Sequence, residues 1–599
     1  MKKSHIYITA LAAALSGPQA VWGAEPNLRT EINVDRTVVP VQRPAAPMSS
    51  VSPTIVAPKV EAHKLRPAEY GEPSAYDNVV APLPTATYTG LQGRSPYRGY
   101  AALGYFPSFN LGASAGYRIL NTEQTVLGAW LQYDGLSYKA HGKAPKNYED
   151  KRQSVKQHTL TLGADLVQRL GKRSRLNASV DYTCGSLQLP LLYSPGPTDE
   201  PDKRSLSALN ATLSYHGGYG VVAWHAGLDF DHFSEGKNLR TAGPEGYSML
   251  EGASENRTGV RLGAFGQFSK STYIGLEATA DFLHRSRGLL LLETGRPSDA
   301  LAKPVYPVSI GRAHSRTPGI IKLMPYFGAR GGRVNVRLGV DVNFVTANIG
   351  NNLHIAPNVL LDWNPASTVA MFAKFSGGDS FNSLRSLYTR MGAGVAGSYV
   401  YTTSNTPVSA DFGFNIGPFK GAALELHGGY ACTHNAVMPI VLDYASGEAG
   451  ALLNTNLSGW RVGGALSYTW RDLLKARASF DILAHSYNSG FADAYDRART
   501  VTKIDLSGRP LEKLELTATY ELRTGRRYYS IPVAEGEAFA PEARTMRNSS
   551  ELNIGARYTL TDALSVGIRA ENLLGRRAEI LPWVPGQGVH GLVGVELKF

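Results

Sequence analysis

Acids and bases recur at alternate positions in several stretches of this chain, with apolar residues between them. "YIGLEATADF" carries Glu277 and Asp281, and "RVNVRLGVDVNF" carries Arg333, Arg337 and Asp341. The same spacing places Asp165, Glu425, His427, Lys475, Arg477, Asp481, Glu515, Arg557, Arg569, Glu571 and Glu596 on one face of their segments. Such residues could act as acid–base pairs, as metal ligands, or as a hydrated and ion-paired surface. Catalysis needs a nucleophile or base in a recognisable setting, and no nucleotide loop, HExxH or GxSxG pattern occurs. "CTH" (Cys432 to His434) offers two metal-ligand types where a closed zinc site needs four, so neither a metal nor another cofactor is expected. Both signs of charge alternate along the chain. That favours the third chemistry, with pairing between neighbouring strands as the simplest role for any one residue.

The elements that position these charges follow from the period. Val334, Val336, Leu338, Val340, Val342 and Phe344 fall on one face of their segment, while Arg333, Asn335, Arg337, Gly339, Asp341 and Asn343 fall on the other. A helix, with 3.6 residues per turn, cannot separate these sets, and a strand does so automatically. "KLELTATYELR" (513–523) behaves the same way. From Arg98 onward the pattern returns in 22 candidate strands, the first near 98 and the last near 589, many of ten residues or more. Ordinary strands average about five or six residues, whereas a tilted strand crossing a bilayer needs roughly nine to eleven. Connections after even-numbered strands are short, as in "GG" (217–218), "RGG" (330–332) and "TD" (561–562). Those after odd-numbered strands are mostly long, including 287–315, 380–404, 434–454 and 524–545. Alternating long and short connections predict an all-β fold: a large transmembrane antiparallel β-barrel, an up-and-down meander of about 22 strands over residues 98–599. A charge facing lipid at mid-depth costs about 2–4 kcal/mol for Arg, so the ionisable face is assigned to the lumen.

The N-terminus and the composition agree with an exported chain. Residues 1–24 read as a signal peptide: a basic Met1-Lys2-Lys3, the apolar "IYITALAAAL", then small residues near Gly23 and Ala24. No later apolar run is long enough for a membrane helix, and two cysteines exclude a disulfide scaffold. Cys184 and Cys432 continue lipid-side faces on distant strands and should not be bonded. The net charge of +12 carries no basic helix or Arg-rich repeat, so nucleic acid is not an expected partner; outer-membrane lipids are. Thirty-one tyrosines and seven tryptophans suit interfacial girdles. Residues 25–97 hold eleven prolines and no useful periodicity, and read as a Pro-rich periplasmic arm or partial lumen filler.

The last thirty residues, "ENLLGRRAEILPWVPGQGVHGLVGVELKF", resemble the end of TonB-dependent receptor barrels. The likeness rests on Asn572-Leu573-Leu574, Arg576-Arg577, Pro585-Gly586 and a final alternating strand closing on Phe599. That strand would turn Val593, Val595, Leu597 and Phe599 to lipid. A terminal aromatic strand is similar to the signal read by the barrel-assembly machinery, which the resemblance implies as a partner in biogenesis. Receptors of that family carry a folded plug of well over a hundred residues before the barrel, and the roughly 70 residues of the arm could not make one. "RTVVPV", containing Arg36, Thr37, Val38, Val39 and Pro40, loosely resembles a TonB box, a peptide that adds to a partner's sheet edge; the plain alternative is a linker.

Barrels of this size are normally plugged, so the arm, infolded loops or a partner should fill the lumen. The 287–315 and 380–404 connections are the candidates for infolding. The expected function is transport or channel activity in the cell outer membrane, with TonB or surface and periplasmic lipoproteins as possible partners and no enzymatic reaction. The alternative is a structural or assembly subunit that scaffolds other envelope proteins.

Overall fold

The computed structural model describes residues 97–599 except 107–109, 141–152, 172, 190–201, 237–238, 244–245, 251–252, 286–289, 295–307, 313–316, 347–351, 392–397, 400–402, 445–446, 472, 488–496, 534–541 and 583. The expected signal peptide, the expected Pro-rich arm and the Arg36–Val41 peptide fall outside these residues.

Twenty-two strands pair antiparallel with their sequence neighbours and close on themselves. Closure joins Gly99–Phe106 to His590–Lys598, with Tyr100 opposite Lys598 and Tyr105 opposite Val593. The backbone of Phe599 completes the seam: Arg98 and Gly99 donate to its carbonyl, each at 2.7 Å, and its own N–H donates to Gly99 at 3.0 Å. A closed ladder leaves no unpaired edge in lipid, the condition a membrane-spanning sheet must meet.

Register fixes which side chain faces which way. Leu228 stands opposite Val260, Val260 opposite Ala280, and Ala278 opposite Leu323. These positions form one continuous face, on which Leu228, Leu262, Leu276 and Leu323 are exposed. Large apolar side chains exposed in such a continuous belt would be anomalous in water, and they are the lipid-facing surface of a barrel. At the end carrying the short turns, Tyr219, Phe268, Trp363, Phe419, Trp470 and Phe599 are all exposed, a girdle at the periplasmic interface.

Aromatic rings and glycines interlock across the ladders. A Cβ on Gly275 would lie 2.2 Å from the Tyr326 ring, and one on Gly328 would lie 2.0 Å from the Tyr273 ring. Glycine at these positions lets each ring lie flat on the neighbouring strand, covering backbone that a missing side chain would leave bare.

Three features differ from the sequence reading. The 434–454 connection is not a loop. Strands Ala422–Tyr444 and Gly447–Trp470, of 23 and 24 residues, run on as one paired hairpin beyond the wall. Residues 434 and 435 bulge against a single partner, Asn435 with φ 54°, and this reverses the inside–outside alternation. Past the bulge, Val437, Met438, Ile440, Val441, Leu452 and Leu453 are all buried, so alternation gives way to a continuous apolar run. Arg527–Val533 adds parallel to the hairpin's outer end, Val441 opposite Ser530. Second, Arg333 is not in a strand: it sits exposed in the turn after Gly319–Gly331 and donates to the Pro365 carbonyl at 2.9 Å. Third, the 380–404 connection contains a helix, Leu384–Met391.

Candidate functional site

The inner wall is organised by ion pairs that reach over one strand to the next but one. Arg477 clamps Glu425 with two parallel bonds, both of 2.7 Å. Between them lies the strand Gly447–Trp470, whose Ala465 stands opposite Glu425. One step along, His427 Nε2 lies 2.6 Å from Asp481 Oδ1 across Gly463. Arg461 reaches Asp411 at 2.9 Å across Gly429. In each case the middle residue is small. A Cβ on Gly463 would fall 2.2 Å from Asp481 and 2.6 Å from His427, so glycine is what leaves the span open.

The remaining predicted residues are held in several ways, over one strand, between adjacent strands or within a single strand. Arg337 reaches Glu277 at 3.4 Å and lies 3.9 Å from the centre of the Tyr326 ring on the strand between. Asp281 accepts from Arg257 at 2.8 Å, and Asp341 accepts from Asn358 at 2.6 Å. Asp165 accepts from the Trp130 indole at 3.0 Å. Arg557 bonds Glu596 at 3.0 Å, Arg569 pairs with Glu571, and Glu571 also holds His590 at 2.6 Å. Glu515 pairs with Arg509 at 3.6 Å. Lys475 stands opposite Ser507 on the same face as Arg477. Val593, Val595, Leu597 and Phe599 are exposed on the apolar outer face. Cys184 and Cys432 are unbonded, and among the described residues no group of three or more His, Cys, Asp or Glu could hold a metal ion.

The wall is thus a field of paired charges of both signs. Each pair satisfies its own charge while leaving polar atoms toward the interior, as suits a hydrated lumen.

A second cluster had not been read from the sequence. Helix Leu384–Met391 leaves the strand Val369–Phe381 and crosses to the wall built by Asp202–Tyr219, Val222–Glu235, Ala253–Gln267 and Thr272–Arg285. Arg385 donates to Asp231 at 3.0 Å and also to Asn210. The Leu384 N–H donates to the Glu255 carboxylate at 3.0 Å. Arg285 is bonded to Glu255 at 2.8 Å and to the Asn382 carbonyl. Tyr388 packs on Phe233 with ring centres 5.7 Å apart, and Leu387 is buried. Burial, with the Glu235 carboxylate adding to it, raises the Tyr388 phenol above its ordinary pKa and keeps it neutral.

The depth of this helix follows from register. Phe230 is exposed on the outer face in the apolar belt, and its neighbour Asp231 points the opposite way. Arg385 therefore meets the wall inside the barrel, level with the upper apolar belt. The available signal was the spacing of Leu384, Leu387, Tyr388 and Met391, one helical face inside a segment otherwise read as loop.

No protein-family model matches the chain, and no curated protein sequence matches it. Solved structures do. A mutant of the ferric enterobactin receptor PfeA from Pseudomonas aeruginosa aligns with a TM-score of 0.60 at 12% identity, over 84% of this chain and 80% of that one. The outer membrane transporter YddB from Escherichia coli aligns at 0.55 and 11%, over 85% and 81%. The ferripyoverdine receptor of the Pseudomonas aeruginosa outer membrane, bound to ferripyoverdine, aligns at 0.57 and 12%, over 84% and 72%. The likeness establishes the fold. This chain forms a closed 22-strand barrel of the same fold as these outer-membrane proteins, the fold class expected from its sequence.

Proposed function

We propose that this outer-membrane barrel is a transporter that passes a solute through its lumen. The observation that carries the reading is the closed wall of 22 strands with paired charges inside and an unbroken apolar belt outside. A scaffold needs only the outer face, whereas a charged and ion-paired inner face is what a water-filled path requires. The fold shared with a ferric enterobactin receptor, a ferripyoverdine receptor and an outer membrane transporter supports it. Their ligands are not carried over, because a likeness at 11–12% identity concerns the fold alone.

In this reading the signal peptide directs export, residues 25–97 form a periplasmic arm, and Arg36–Pro40 is the peptide offered to TonB. The strand ending at Phe599 is the part recognised by the barrel-assembly machinery. Lipoproteins would dock at the surface or in the periplasm, and no reaction is catalysed.

The test is conductance of the mature full-length chain in planar bilayers, compared with a variant lacking residues 25–97. Currents in either form support transport. A barrel closed in both, isolated with stable envelope partners, replaces the reading with that of a structural or assembly subunit.

A further inference from the structure

We propose that helix Leu384–Met391 is a gate set across the lumen from the extracellular side, with the Arg385–Asp231 contact as its latch. The inference rests on the transport reading above and names the element that controls the path.

The helix reaches the wall at the level of the apolar belt, as the Phe230–Asp231 register requires. With side chains it occupies a column about 10–12 Å across, so its position sets how much of the lumen stays open on that side.

Its foot is fixed. Arg285 and Glu255 are 3% and 4% exposed, and this buried pair holds both the Asn382 carbonyl and the Leu384 N–H. Breaking a buried pair of this kind leaves an uncompensated charge, so the foot does not let go under ordinary load. Across the loop's base, Asn382 Nδ2 donates to Ser404 Oγ at 2.8 Å, and Ser404 Oγ donates to the Asn435 carbonyl at 2.7 Å.

The latch is different. Arg385 and Asp231 are 34% and 33% exposed, and ion pairs so hydrated hold weakly and are screened by salt. A rigid foot leaves this hydrated contact, together with the packing of Leu387 and of Tyr388 on Phe233, as what an opening of the helix must release.

A small second sheet is built from the same two connections. Beyond the helix, Ser398 and Tyr399 pair parallel with Leu290 and Leu291, in the connection that follows Arg285. That strand pairs in turn with Val308–Arg312.

The experiment uses the mature full-length chain, as wild type, R385E, D231R and the exchanged pair D231R/R385E. Each is read by bilayer conductance and by hydrogen exchange at the amides of Leu384–Met391. R385E should speed exchange in the helix and raise conductance about twofold or more, and the exchanged pair should return both toward wild type. E255Q, which loosens the foot instead, should speed exchange in the same segment. Faster exchange with unchanged conductance overturns the gate, and so does exchange that R385E leaves unaltered. If the arm-deleted chain conducts and R385E changes nothing, the gate fails while transport stands. If no form conducts, transport fails first and the gate with it.

Discussion

The ring of Phe599 lies where a side chain on Gly99 would have to be: a Cβ there would fall 2.5 Å from the ring. The last residue of the chain thus packs on the first strand and stacks against Tyr117, ring centres 6.3 Å apart. A Gly99→Val substitution should clash with Phe599 at the seam and crowd Tyr117, 3.0 Å from such a Cβ, on the second strand. Phe599→Ala should uncover the seam without a clash. Heat-modifiable mobility of outer-membrane fractions reads both. Folded barrel should fall most for the valine variant, and equal, wild-type yields for both would mean the seam contact is dispensable.

Gly463→Val tests whether the wall pairs need a bare middle strand. Its side chain would occupy the space between His427 and Asp481, and the added bulk should cost about 1–3 kcal/mol in urea unfolding of the barrel in detergent. A substitution at Gly332, where a Cβ would meet nothing within 4 Å, is the control and should be near neutral.

The Arg477–Glu425 clamp should behave as a coupled pair. Glu425→Gln and Arg477→Gln each leave one partner without its charge, and the double variant should cost less than the sum of the two. Arg477 is 37% exposed, so the coupling is expected near the lower end of about 0.5–3 kcal/mol. Strict additivity in a double-mutant cycle would mean the clamp carries no energy of its own.

Cys184 and Cys432 give a test of orientation. Both continue outward faces, Cys184 opposite Leu160 and Cys432 opposite Val408 on neighbouring strands. In intact membranes an apolar maleimide should label them and a charged one should not, and mobility should be the same with and without reductant. Labelling by the charged reagent would place these thiols in water.

Much of this was legible in the sequence because a barrel wall imposes one rule on every residue. Val334 to Phe344 show it: outward positions must be apolar, inward ones need not be, and the period of two survives over twelve residues. The rule fails where its cause stops. Past the bulge at Asn435 the hairpin leaves the lipid, both faces become covered, and Val437 to Val441 no longer alternate. The alternation points Arg333 inward because it continues the pattern of its strand, yet the strand begins one residue later. The lumen pairs were legible as residue types but not as partners. Glu425 and Arg477 are 52 positions apart, and only the register joins them. Arg385 was least legible, since its partner Asp231 is 154 positions away and it sits on a helix, whereas the wall residues sit on strands.

The long hairpin has a mechanical meaning as well. From the bulge at Asn435 to Tyr444 its first strand extends about 30 Å at strand rise, stiffened along its length by the paired return strand. Asn435 is both the point where this arm meets the wall and the acceptor for Ser404 at the base of the loop that carries the helix. An arm on such a joint, with its tip paired to Arg527–Val533, is a brace: it ties that segment to Ser404 and so to the base of the loop that carries the helix.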